Sequence, residues 1–195
     1  MHPIRKKIRR THWLPVAALV ALPLLAACER APRVEPEATS TEVLTAPSCG
    51  SAGHLSTQLY GSIARVINWG TGDFQCESML RPDGQGIRLR FTGNAADSEL
   101  AIILAMPELQ RGVADEESPT VVTLTVEGSG RFFSTPTLGS CWTDIASQNP
   151  LGDSGERYEM SGKLYCVAPL GEINGDAAIS IPELDFRGIV DWRAK

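Results

Sequence analysis

Histidine is almost absent from this chain of 195 residues: His2 and His12 belong to a basic N-terminus, and His54 stands alone in the rest. A Ser-His-Asp system or a zinc hydrolase would have to pass through that single side chain. It sits among Gly, Ser and Ala and reads as a solvated loop histidine. Lysine is equally scarce, since only Lys163 and Lys195 follow residue 27. The first ten residues hold five of the 18 basic side chains, which leaves 13 against 23 acids, a formal charge of −10 for residues 28–195. Phosphate binding demands clustered Lys and Arg, so nucleic acid is excluded as the expected partner, and an anionic membrane surface is disfavoured likewise. Gly-x-x-x-x-Gly-Lys-Ser/Thr, Gly-x-Gly-x-x-Gly, Gly-x-Ser-x-Gly and Cys-x-x-Cys are all missing, and with them the usual footprints of nucleotide, α/β-hydrolase and thiol-exchange chemistry. No apolar run approaches the roughly 20 residues of a membrane-spanning helix.

What is present begins at the N-terminus. Arg5, Lys6, Lys7, Arg9 and Arg10 precede fourteen uncharged, mostly apolar residues, Leu14 to Ala27, and Glu29, Arg30 and Arg33 close the run. A charged n-region before a short h-region is a secretory signal. The boundary Leu25-Ala26-Ala27-Cys28 resembles the lipobox of bacterial lipoproteins, in which cleavage leaves the cysteine as first residue with diacylglycerol on its sulfur. The resemblance implies a cleaved signal over residues 1–27 and lipid attachment at Cys28. Three acyl chains, at about 0.8 kcal/mol per buried CH₂, make such an anchor effectively permanent. In the lipoproteins it resembles, an Asp directly after the modified cysteine favours the inner membrane. Glu29 stands there, which favours the outer membrane facing the periplasm.

Residues 28–48 read as a tether. Three prolines, four Glu and no aromatic follow Cys28, too little apolar surface to offset the entropy of ordering. Twenty flexible residues reach about 25 Å root-mean-square. Residues 49–195 have the length of one domain. The four remaining cysteines, Cys49, Cys76, Cys141 and Cys166, are an even number in a chain sent to an oxidising compartment, which predicts two disulfides. Cys49 with Cys76 and Cys141 with Cys166 is the preferred pairing of three, because each closes a short loop within one block. A Cys₄ zinc site would need closer spacings.

Short alternating runs broken by Gly, Asn, Asp and Pro predict strands. They fall at Gly61 to Trp69, Phe74 to Met79, Ile87 to Phe91, Leu100 to Met106, Val121 to Val126, Arg131 to Ser134, Cys141 to Ile145, Tyr158 to Cys166, Ile179 to Ile181 and Leu184 to Trp192. Leu100 to Met106 is continuously apolar and suits a strand buried on both faces. Turns are expected at Pro82-Asp83-Gly84, Gly93-Asn94, Gly128 to Gly130, Asn149 to Gly152 and Asn174-Gly175. Nine or ten short strands with no long helical pattern predict an all-β fold, an antiparallel β-sandwich. Ile67-Asn68-Trp69 and Val190-Asp191-Trp192 end alike and read as core tryptophans closing neighbouring strands.

Three segments invite chemistry. Gly152-Asp153-Ser154-Gly155 resembles the nucleophile segment of trypsin-like proteases, but Glu156 follows where that family has Gly, and a surface turn is the reading. Glu172, Asn174, Asp176 and Glu183 resemble the calcium loops of dockerins and EF-hands; Ala177 at the sixth position and Glu172 at the first depart from the pattern, so a hairpin turn is preferred. Asp144, Asp185 and Asp191 are the carboxylates available to a hydrolase without histidine, provided two converge about 5 to 9 Å apart. Cys141-Trp-Thr-Asp-Ile, Gly162-Lys-Leu-Tyr-Cys166 and Leu184-Asp-Phe-Arg-Gly188 resemble bacterial lipoproteins of unassigned function. That likeness implies fold and compartment and supplies no catalytic residue. The expectation is a lipid-anchored envelope protein with a binding or structural domain, without catalytic residues, cofactor or metal. A carboxylate hydrolase and a calcium-dependent adhesion module are the alternatives.

Overall fold

The structure is a computed structural model and describes residues 49–193 except 82 and 84. The signal peptide, Cys28 and the tether lie outside the described residues. Thirteen strands follow in order: β1 (His54–Gly61), β2 (Arg65–Trp69), β3 (Phe74–Leu80), β4 (Ile87–Ala95), β5 (Ser98–Met106), β6 (Asp115–Pro119), β7 (Val121–Val126), β8 (Arg131–Ser134), β9 (Cys141–Pro150), β10 (Arg157–Cys166), β11 (Leu170–Glu172), β12 (Ala178–Ser180) and β13 (Glu183–Asp191). The all-β, antiparallel prediction holds.

One hydrogen-bonded path runs β3-β4-β5-β7-β8-β11-β12-β1-β13-β10-β9-β6, with β2 added to β1. It folds back into two facing layers at β1. His54 to Thr57 pair with Arg187 to Leu184 of β13, whereas Tyr60 and Gly61 pair with Ser180 and Ile179 of β12. One strand thus serves both layers. Their inner faces alternate as a half-buried strand must: Leu89 and Phe91 on β4, Leu100, Ile102, Leu104 and Met106 on β5, Leu184, Phe186 and Val190 on β13 are all buried. The layers meet where Phe91 packs on Phe186, ring centroids 5.4 Å apart.

Several boundaries differ from the sequence reading. Gly61 to Trp69 is not one strand: Gly61 ends β1 at φ 95°, and β2 begins at Arg65. Thr57 hid β1, because a hydroxyl occupies a core-facing position; it donates to the Glu183 carbonyl at 2.6 Å and is thereby satisfied. β6, Asp-Glu-Glu-Ser-Pro, has no apolar period at all. Its pairing with β9 makes it an edge strand, where acids, a bulge at Glu117 (φ 52°) and Pro119 discourage further pairing. The turn expected at Gly93-Asn94 lies inside β4; the chain reverses at Ala96, φ 55°. Pro150 likewise ends β9 opposite Tyr158 rather than starting the turn. β5 is fully buried on its inner face, and on its outer face Ala101 is buried while Ile103 and Ala105 are partly exposed. Trp69 and Trp192 are both buried as expected, but β2 and β13 flank β1 on opposite sides and Trp192 lies one residue beyond β13.

Gly93 shows how tightly the layers close. The Trp69 indole lies against its Cα and donates to the Asn94 carbonyl at 2.7 Å, and a Cβ at Gly93 would fall 2.7 Å from the indole ring. Gly93→Ala is therefore expected to cost about 1 to 3 kcal/mol by overpacking. A denaturation midpoint equal to wild type would contradict it.

Candidate functional site

The pairing places the expected carboxylates in register. Asn68 lies opposite Ser56, Ser56 opposite Asp185, Asp185 opposite Lys163, and Lys163 opposite Asp144. These five residues form one row across β2, β1, β13, β10 and β9 on the outer face. Strands are spaced about 4.8 Å apart, so the Asp144 and Asp185 backbones stand roughly 10 Å apart with Lys163 between them. Asp191 does not join them. It lies six residues along β13 from Asp185, about 20 Å away at roughly 3.3 Å per residue. There it accepts from the Arg193 guanidinium at 2.8 Å, which holds its carboxyl below the usual range.

Each remaining acid is already engaged. Asp185 Oδ1 meets His54 Nε2 at 2.6 Å, so the lone histidine sits in β1 beside an acid instead of in a loop. Lys163 Nζ donates to Glu183 Oε1 at 3.1 Å, and that bond and charge hold the ammonium above its ordinary pKa. Asp144 Oδ1 accepts the Glu117 N–H at 2.8 Å. Partial burial, with Asp144 nearby, pushes the Tyr165 hydroxyl up. Along the β1/β2 side of this face runs a cleft of about 500 Å³ lined by Ser56, Gln58, Tyr60, Val66, Asn68 and Asp185. Tyr60 is 52 % and Val66 71 % exposed.

The calcium-like segment is a hairpin. Leu170 and Gly171 of β11 pair with Ile179 and Ala178 of β12, and Asn174 takes φ 64° in the turn. Arg131 Nε donates to Glu172 Oε1 at 2.6 Å, while Glu183 goes to Lys163, so the two glutamates are drawn to separate cations. Among the described residues no three of His, Cys, Asp and Glu gather as metal ligands. Gly152 to Gly155 form the turn between β9 and β10, with Asp153 and Ser154 in it. Both disulfides are those preferred from the sequence: Cys49–Cys76, Cα atoms 5.0 Å apart, and Cys141–Cys166, 4.1 Å apart on facing positions of β9 and β10.

A second concavity, about 450 Å³, was not foreseen. It opens at the end of the sandwich between Leu80 and Gly86 around the β3–β4 turn, the segment Pro107 to Arg111 after β5, and Trp192. Gln148 of β9 fixes that segment with both ends of its amide: Oε1 accepts the Gly112 N–H at 3.0 Å, and Nε2 donates to the Gln110 and Val113 carbonyls at 2.9 and 2.6 Å. Of the two tryptophans expected in the core, Trp192 lines this cavity.

Comparison with protein-family models, curated proteins and solved structures finds no match.

Proposed function

We infer that this chain is an envelope lipoprotein, held through lipid on Cys28 at the periplasmic face of the outer membrane, whose sandwich binds a partner or ligand rather than catalysing a reaction. The observation that carries the binding part is the exposed apolar pair Tyr60 and Val66 beside the β1/β2 cleft. Solvated apolar residues bordering a concavity fit recognition. Asp185 is hydrogen-bonded to His54, Asp144 is separated from it by Lys163, and the Arg193-bound Asp191 carboxylate makes a poor proton donor. Among the described residues no helix is long and apolar enough to cross a membrane, and the anchor reading assigns attachment to the lipid.

A photoreactive residue replacing Val66 in the membrane-bound chain is expected to capture a discrete species, and one replacing Asp153 in the β9–β10 turn to capture none. Equal yields at both positions would overturn the binding face. Cys28→Ala is expected to abolish incorporation of radiolabelled palmitate and release the domain from the membrane fraction. Labelling as strong as wild type would remove the anchor from the reading.

A further inference from the structure

The polar row from Asn68 to Asp144 is one half of a two-row pattern on the outer face. Two residues along the same five strands, Val66 stands opposite Gln58, and Tyr165 stands between Glu183 and Trp142. Residues two apart point to the same side of a strand, so both rows share this face. The side chains in between point the other way: Leu164 and Thr143 are fully buried, whereas Tyr165 is 37 % exposed and Trp142 half-buried. The first row is wholly polar. The second ends in an aromatic pair on β10 and β9 and, at its other end, in the exposed Val66 of β2. Five strands about 4.8 Å apart make each row about 19 Å long. At the β1/β2 end both rows enter the cleft of about 500 Å³, which Tyr60 also lines.

The polar row keeps hydrogen-bonding capacity toward solvent. Asp185 uses one carboxylate oxygen on His54, Asp144 uses one on the Glu117 N–H, and Lys163 gives Glu183 one of its three protons. The exposed Asn68 and the half-buried Ser56 each carry both a donor and an acceptor. Lys163 offsets Glu183, which leaves two acids in the rows, so an anionic ligand is repelled. The backbones of β1, β13, β10 and β9 are paired on both sides, so recognition over this face runs through side chains and not through an added strand. A ligand suited to that has hydroxyls along its edges, each donor and acceptor, and apolar C–H faces between them. We propose that this strip binds an uncharged, unbranched saccharide chain laid across the strands, its hydroxyls on Asn68, Ser56, Asp185 and Lys163 and its ring faces against Tyr165 and Trp142. The slightly positive C–H groups of a sugar suit the negative face of an aromatic ring. The inference rests on the reading of the Val66 side as the binding face, for which it names the ligand class, and is independent of the lipid anchor.

The test is calorimetric titration of the full chain, in a detergent without a sugar headgroup, with the hexasaccharides of β-1,4-linked N-acetylglucosamine, β-1,4-linked glucose and α-1,4-linked glucose, with their disaccharides, and with hexalysine. At least one hexasaccharide is expected to bind, about tenfold or more tighter than its disaccharide, and with an affinity that added salt leaves unchanged because the ligand carries no charge. Tyr165→Ala, an exposed position at one end of the strip, is expected to weaken that binding about tenfold or more, the usual scale for truncating an aromatic anchor. Asn68→Ala at the other end should weaken the hexasaccharide while leaving the melting temperature in place, and Asp153→Ala in the β9–β10 turn should change neither. Absence of binding to all three hexasaccharides at millimolar concentration overturns the proposal, as does unchanged affinity in both Tyr165→Ala and Asn68→Ala. Salt-sensitive binding of hexalysine without any hexasaccharide would mark an ionic site for a basic peptide and overturn it likewise. If the titration fails while Val66 still captures its species, this inference falls alone; if both fail, the binding-module reading falls with it.

Discussion

Replacing Cys141 and Cys166 together by alanine is expected to cost about 2 to 5 kcal/mol and to lower the melting temperature by roughly 5 to 15 °C. The two residues are 25 apart in sequence and face each other at the last pair of the β9–β10 ladder. In the unfolded chain the bond closes a loop of that length, and its loss restores the corresponding conformational freedom. The folded chain adds a second term, since Cys141 is fully buried and its sulfur leaves a gap in packed surroundings. The effect is structural, so ligand capture by the folded fraction should persist. Peptide mapping of the non-reduced protein checks the pairing, and urea denaturation of the double variant checks the magnitude. A stability unchanged within about 0.5 kcal/mol would show that the ladder alone holds this end of the sandwich, which would be an unusually small effect for a native bridge.

That bridge was legible in the sequence because cysteines in an oxidising compartment pair, and two compact blocks leave one economical pairing. The strands that were legible share a different property: their buried positions are apolar, as in Ile87-Arg-Leu-Arg-Phe91 and Leu184 to Val190. Where the chain solved a burial problem with a hydrogen bond, the pattern vanished. Thr57 does this in β1, and so does Thr120 just after β6, whose buried hydroxyl donates to the Ser118 carbonyl. Edge strands are hidden for the opposite reason, since a strand with one paired side and a solvated face needs little apolar period. The extra length of β4 and β9 came from continued pairing with the next strand of the same hairpin, Ala95 with Ser98 and Pro150 with Tyr158, through residues that as sequence read as turn formers.

The site was less legible than the fold. Asp144 and Asp185 were named as candidate hydrolase carboxylates, yet their separation by Lys163 is a matter of register, and register depends on which strands are neighbours. His54 read as solvated because its surroundings in sequence are small and flexible; its acid partner lies 131 residues away. The end cavity depends on Gln148, which resembles any surface glutamine in sequence and is buried only because the β5–β6 connection folds over it. A residue whose role is to satisfy loop backbone carries no motif.

The aromatic contacts explain why one substitution should remove a large share of the stability of the domain. Trp69 stacks on Phe74 at 5.8 Å, Phe74 approaches Phe91 at 6.2 Å, and Phe91 meets Phe186 at 5.4 Å. The rings therefore run from one layer at β2 into the other at β3 and β4 and back to the first at β13. Phe186 is 1 % exposed and leans on Gly162, where a Cβ would come within 3.0 Å of its ring. Backbone on one side and Phe91 on the other leave little freedom to collapse into a void, so Phe186→Ala is expected to cost about 3 to 5 kcal/mol. Small domains have about 5 to 15 kcal/mol in all. The exposed Tyr60→Ala should stay within about 0.5 kcal/mol. A cycle joining Phe186→Ala with Phe91→Ala separates the ring-ring contact from burial, with a coupling of about 0.5 to 1.5 kcal/mol expected. Additive costs in that cycle would mean that the rings fill space without recognising each other; a Phe186→Ala cost no larger than that of Tyr60→Ala would mean that the two layers do not depend on this contact.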